Sequence, residues 1–167
     1  MALLWFEGEL ETLLSLVGSL DLQLHEVIGK SLDSEDADQF GYFDVAEHIT
    51  GLGFVACQTY IATVCGGIGA DKNDALKKGP QHSGGLSKAQ IINHAANYWK
   101  HNNEWALAKP DRRREAIERA FNSVGFPVGT DYPLSGVLTE LSAPHSASLA
   151  AVADFLREWK DAILGDA

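Results

Sequence analysis

Twenty consecutive residues, Gly51 to Ala70, carry no charge. A stretch of that length either crosses a bilayer or forms a helix buried around most of its circumference. Gln58, Thr59 and Thr63 stand near its middle, five glycines dilute it, and no basic cluster precedes it. These features predict a core helix and no membrane span. A helix of this kind dictates the architecture, because other helices must be laid around it.

The flanking sequence supplies them. Leu10, Leu13, Leu14, Val17, Leu20, Leu24, Val27 and Ile28 recur at helical spacing. They predict a first long helix from Leu3 to Ile28 with Gly29 as its C-cap. Ser31 to Asp38 is polar and acidic, a loop or a capped start. The second long helix runs from Asp38 or Asp44 to Cys65, and the glycines at 66, 67 and 69 end it. Asp71 to Gly85, with Gly79-Pro80 and Gly84-Gly85, reads as a mobile connection. Ser87 caps a third helix from Lys88 to Trp105. Pro110 opens a fourth, with Asp111 in its first turn and Ala116, Ile117, Ala120 and Phe121 facing inward. After a turn from Phe126 to Asp131, a short helix spans Leu134 to Leu141. Pro144 breaks the chain, and Ser146 caps a last helix to Leu164. No alternating run of β-branched residues is long enough for a strand. The expected fold is all-α: one domain over residues 1–167, a bundle of five or six helices with two long N-terminal helices and no significant sheet.

Charge is distributed unevenly. Up to Ala70 there are eleven acids and one base, Lys30, which accounts for the net charge of −10. From Lys72 to Arg119 there are ten bases and five acids. The global balance argues against bulk affinity for nucleic acid, while the distribution allows a local positive face. Cys57 and Cys65 each sit in an apolar run and fit no metal knuckle or redox pair, so both read as reduced core thiols of a cytoplasmic protein. Met1 to Phe6 is apolar but lacks a basic leader, and Glu7, Glu9 and Glu11 follow at once, which predicts no signal peptide.

Inside the basic stretch lies the densest chemistry. Wound as a helix, residues 91 to 105 gather Ile91, Ile92, Ala95, Ala96 and Trp99 on one side. His94, Asn97 and His101 fall on the opposite side, one turn apart. Histidine exchanges protons near neutral pH without a metal, and an amide one turn away orients an imidazole or holds an oxyanion. His101 and Asn97 are therefore the candidate catalytic pair. Lys100 and His94 are the substrate-binding candidates, Lys100 either pairing with Glu104 or facing a phosphate. The plainer alternative is that His94, Asn97 and His101 are merely solvated, as on any surface helix, or satisfy buried polar groups. Trp99, Tyr98 and Trp105 read as core or interface aromatics, and Arg112-Arg113-Arg114 as a solvated helix start. His94 and His101 lie about 10 Å apart along the helix axis, too far to chelate one ion alone. No cofactor fingerprint is present, so neither metal nor cofactor is expected.

The run Ala96-Asn97-Tyr98-Trp99-Lys100-His101 resembles the motif of the HEPN superfamily (higher eukaryotes and prokaryotes nucleotide-binding). The family motif is Arg, usually a polar residue, a few variable positions and His. The match is at Asn97 and His101, and the departure is Ala96 in place of Arg. The resemblance implies an all-α domain and a metal-independent RNase or RNA-binding protein of toxin–antitoxin or defence systems. It also implies a homodimer, here through the third helix and its neighbours, with His101 as acid/base, Asn97 as its orienter and Lys100 on phosphate. The acidic N-terminal helices and Ala96 point instead to a non-catalytic relative that binds a protein partner, an immunity or antitoxin-like module.

Overall fold

The computed structural model describes residues 2–165 of the chain, with side chains from residue 4. The expected domain of 1–167 thus extends past the described residues at both ends. Seven helices follow one another: α1 (Ala2–Leu32), α2 (Tyr42–Ile68), α3 (Lys72–Leu76), α4 (Lys88–His101), α5 (Arg112–Ser123), α6 (Pro133–Ser142) and α7 (Leu149–Gly165). Among the described residues there is no strand, only an isolated bridge between Gln81 and Ser87. The fold is all-α with two long N-terminal helices, and the described residues form seven helices where five or six were expected.

The charge-free stretch is the hub. α2 packs against α1, α4, α6 and α7, and its glycines set how closely they approach. A Cβ on Gly51 would lie 2.2 Å from the Trp99 ring of α4, and one on Gly53 would lie 2.4 Å from Leu149 of α7. Both helices therefore seat a large side chain directly on the α2 backbone. Gly66 and Gly67 remain helical, and Gly69 alone ends α2, at φ 66 with its N–H on the carbonyls of Cys65 and Gly66. Gly29 likewise lies inside α1, which continues to Leu32.

Two carboxylates from the long helices hold the N-termini of the last two. Asp21 accepts from Leu149 N–H at 2.7 Å, Ala150 N–H at 3.0 Å and the Ser148 hydroxyl at 2.8 Å. Glu47 accepts from the N–H groups of Leu134 and Ser135, both at 2.8 Å, and from the Ser135 hydroxyl. Helix N-termini leave donors without partners and attract negative charge, so a carboxylate there satisfies both demands. The last helix is capped by Ser148 and Asp21, not by Ser146 as the sequence suggested; Ser148 Oγ accepts from Ala151 N–H. The buried Lys160 of α7 bonds Glu7 of α1 and lies 3.3 Å from Asp161.

The supposedly mobile connection is tethered. Asp71 caps the short α3, and Ser87 donates to the Leu76 carbonyl. His82 Nε2 lies 3.0 Å from Glu140, while its Nδ1 accepts from Gly84 N–H. Ser87 then opens α4 in a reciprocal capping box with Gln90. The α-helix stops at His101, and a 3-10 turn over Asn102–Glu104 replaces its expected last turn.

Candidate functional site

α4 runs between α2 on one side and α5 on the other, with α6 and α7 also against it. Ile92, Ala95 and Ala96 have no exposed surface at all, and Ile91 almost none. The opposite face is not the open polar row that the helical wheel suggests. Within α4 only Lys100 is exposed; His94, Asn97 and His101 are half-buried and Asn93 is buried. The three expected site residues also diverge, Asn97 toward α2 and the two imidazoles toward α5.

Gln58 organises the α2 side. Its amide, 7% exposed, sits in a helix without charges and must find partners. Nε2 donates to Asn93 Oδ1 and Asn97 Oδ1, both at 2.9 Å, and to the Asn93 carbonyl at 3.2 Å. Its Oε1 accepts from Lys100 Nζ at 2.6 Å. Asn97 is therefore committed to Gln58 and makes no hydrogen bond to His101. Lys100 is held by the same amide, not by Glu104.

His101 looks the other way. It lines a small cleft of about 70 Å³ with Glu104, Trp105, Lys109, Asp111, Arg113 and Arg114. Its Nδ1 is buried and makes no hydrogen bond, although Glu104 Oε2 stands 3.5 Å away. The accessible ring nitrogen is Nε2. Arg114 is already occupied by Glu118 and the Trp105 carbonyl, and Asp111 caps α5. Among the described residues Arg113 and Lys109 have no ion-pair partner.

His94 opens onto a separate groove of about 330 Å³ lined by Gly84, Leu86, Ala116, Arg119 and Ser123. Its Nδ1 is likewise buried without a partner. Burial first, and the Arg119 guanidinium second, hold this imidazole below its usual pKa, so it is neutral at pH 7.

Cations without counterions collect along this edge. Among the described residues Lys72, Lys100, Lys109, Arg112, Arg113 and Arg119 form no ion pair, whereas Lys30, Lys77, Arg114, Arg157 and Lys160 all do. Lys100 shows the effect of the crowding. Burial, then Lys72 and Arg113, push its pKa down. Such an array is short of negative charge, and an anion bound there relieves the repulsion.

Ala96, the position at which the expected resemblance departs from its motif, has 0% exposure. An arginine there would bury its charge in the core. Among the described residues no three His, Cys, Asp or Glu side chains cluster as metal ligands. Cys57 and Cys65 are free and buried, and burial pushes the Cys57 thiol up to about 12, which leaves it inert at neutral pH.

Sequence reasoning missed Gln58 and the separate roles of Lys109 and Arg113. Gln58 carried a usable signal, since a primary amide in the middle of an uncharged core helix demands buried polar partners. Compared with protein-family models, curated proteins and solved structures, the chain finds no match.

Proposed function

We propose that this is a HEPN-like RNA-binding protein that cleaves RNA without a metal, working at the edge shared by α4 and α5. One observation carries the reading. His101, with a buried orphan Nδ1 and an accessible Nε2, sits in a cleft whose Lys109 and Arg113 have no counterion, beside the crowded Lys100.

The chemistry follows from those groups. A backbone phosphate meets Lys109, Arg113 and Lys100, which stabilise charge building on its oxygens. His101 takes the 2′-hydroxyl proton at Nε2. The 2′-oxygen attacks phosphorus, the bond to the 5′-oxygen breaks, and a 2′,3′-cyclic phosphate and a 5′-hydroxyl result. The proton returned to the leaving oxygen comes from imidazolium or water. Asn97 acts indirectly, by fixing Gln58 and through it Lys100. His94 lies in a neighbouring groove, where it and Arg119 serve as a further contact for the RNA chain.

The test uses unstructured mixed-sequence RNA with chelator present. The protein should cleave it, and His101→Ala should cut at least about 100-fold more slowly while still binding. Binding should weaken steeply with salt, because phosphate contacts release counterions. Equal, background-level cleavage by both proteins ends the enzyme reading. Binding that ignores salt ends the RNA reading.

A second reading has its own observation. Leu22, Leu32 and Phe40 are 74%, 81% and 66% exposed on the acidic N-terminal half, as expected of a protein-interaction module of the immunity or antitoxin type. It predicts no RNA cleavage and a cationic or apolar protein partner.

A further inference from the structure

The α4–α5 edge collects cations without counterions; a cavity near the turn between the two long helices is ringed by the opposite charge. About 240 Å³ of open space lies there between α1, α2 and α6. Its walls are apolar: Leu24 and Ile28 of α1, Phe43 and Ala46 of α2, Leu138 of α6, and Ala147 beyond it. Four hydroxyls also reach the space, and each spends its hydrogen within the chain. Thr50 donates to the Ala46 carbonyl at 2.8 Å and Thr139 to the Ser135 carbonyl at 2.9 Å. Ser135 donates to Glu47 at 2.7 Å and Tyr132 to Asp38 at 2.8 Å. No Lys, Arg or His lines the cavity. The interior therefore offers hydrocarbon contacts and no donor for an anion. An apolar cavity of about 150 Å³ takes one benzene ring, and this one is about one and a half times that size, room for two fused rings.

The rim has a different chemistry. Phe43, 40% exposed, and Tyr132 stand there with ring centroids 5.6 Å apart. The Tyr132 phenol is pushed up to about 12, first by its hydrogen bond to Asp38, then by desolvation and the negative charges of Asp38, Asp44 and Asp131. Three carboxylates thus gather about one ring. Among the described residues none of the three meets a Lys, Arg or His. From Ser31 to Ala46 there are five acids and no base. Crowded carboxylates without a counterion attract a cation, and aromatic rings beside them present their faces to it. Tyr132 is held in place against its backbone preference. Among the described residues it is the one non-glycine with positive φ, at 51°, a conformation that persists where the surroundings fix it. Here α6 starts directly behind it at Pro133, and Glu47 holds the first N–H groups of that helix.

We propose that this cavity binds a small organic cation with an apolar body, an arylalkylamine in chemical class. The body fills the space between Leu24 and Leu138. The ammonium stays at the rim, against Phe43, Tyr132 and the carboxylates of Asp38, Asp44 and Asp131. The walls select hydrocarbon and the rim selects the sign of the charge. A fatty acid carries the wrong sign, and a sugar needs polar partners that the walls lack. The inference goes beyond both readings above. It uses no α4–α5 residue and needs neither RNA nor a protein partner, so its failure leaves them standing.

The experiment is calorimetric titration of the full chain with three probes that share one body: naphthylmethylamine, naphthylmethanol and naphthylacetate. The amine should bind with a Kd below about 1 mM. It should bind at least about tenfold tighter than the alcohol, and the carboxylate should bind more weakly than either. Salt should weaken the amine and leave the alcohol unchanged. Asp44→Asn combined with Asp131→Asn, both at exposed positions, should bring the amine down to the affinity of the alcohol and leave the alcohol as it was. Ala147→Leu fills the cavity from a partly exposed position. It should abolish binding of both, with helix content by circular dichroism unchanged. Absence of amine binding overturns the proposal. Equal affinity of the wild type for amine and alcohol, the mark of a cavity indifferent to charge, overturns it as well, and so does a preference for the amine that survives the double substitution. A Lys- and Leu-rich amphipathic peptide that binds where the amine does not would assign the cavity to a protein partner and overturn it too.

Discussion

The long N-terminal helices and the α4–α5 edge both carry charge, and they use it in opposite ways. On α1 and α2 the inward-facing carboxylates are consumed by the fold. Asp21 holds the start of α7, Glu47 the start of α6, and Glu7 the buried Lys160. At the α4–α5 edge the cations are left open. Among the described residues Lys72, Lys109, Arg112, Arg113 and Arg119 find no carboxylate, and Lys100 finds only an amide. The difference separates architecture from availability. A charge that satisfies helix ends is positioned to hold the fold, whereas a row of unpaired like charges is positioned for something from outside.

The sharpest way to break this contrast is to delete a consumed charge. Asp21→Ala strips three hydrogen bonds from the start of α7 at a buried site. It should cost about 2–4 kcal/mol in urea unfolding, with the N–H groups of Leu149 and Ala150 left unsatisfied. If the loss were under about 0.5 kcal/mol, water would be replacing the carboxylate and Asp21 would belong with the open charges.

The opposite substitution should do almost nothing to stability. Arg113 makes no ion pair and lies close enough to Lys100 to depress its pKa. Arg113→Ala should change unfolding free energy by no more than about 0.5 kcal/mol, or raise it slightly through relief of repulsion. The same variant should bind RNA several-fold more weakly, with a shallower dependence on salt. A destabilisation above about 1 kcal/mol would show a structural role for Arg113 and remove it from the site.

The sequence displayed the architecture more fully than the site because periodicity reports burial directly. Leu10, Val17 and Leu24 recur at helical spacing because they face the core, and Ser87 and Gln90 spell a capping box in order. The short α3 left no such trace; five residues between a glycine-rich end and Gly79-Pro80 are too few for a period. The site was legible as a set of residue types and not as an arrangement. A helical wheel gives the angle of His94, Asn97 and His101 about one axis and says nothing of neighbours. The supposed wet side is divided between Gln58 of α2 and the length of α5, and those contacts span from 35 residues upward in sequence on the α2 side. The cleft around His101 was hidden for another reason. It is made by the turn after α4, where the expected helix does not continue.

The finest test of the comparison concerns His94, an imidazole that belongs to neither class. It is buried enough to lose its charge and open enough to line a groove. Its pKa in the folded chain lies below the 6.5 of the free side chain, through burial and Arg119. The unfolded chain therefore takes up a proton first as pH falls. The stability tied to neutral His94 is complete above pH 6.5 and declines as pH drops from 6.5 toward the lower folded value. One proton limits the slope to about 1.4 kcal/mol per pH unit. Measured as the difference between wild type and His94→Gln across pH 5 to 8, this decline should appear in the wild type and vanish in the variant. Binding of RNA at the groove would bring phosphate next to the ring and favour its charged form. With RNA bound, the folded pKa should rise and the slope should flatten. A slope that RNA leaves unchanged would place His94 outside the bound surface and confine the site to His101 and its cations.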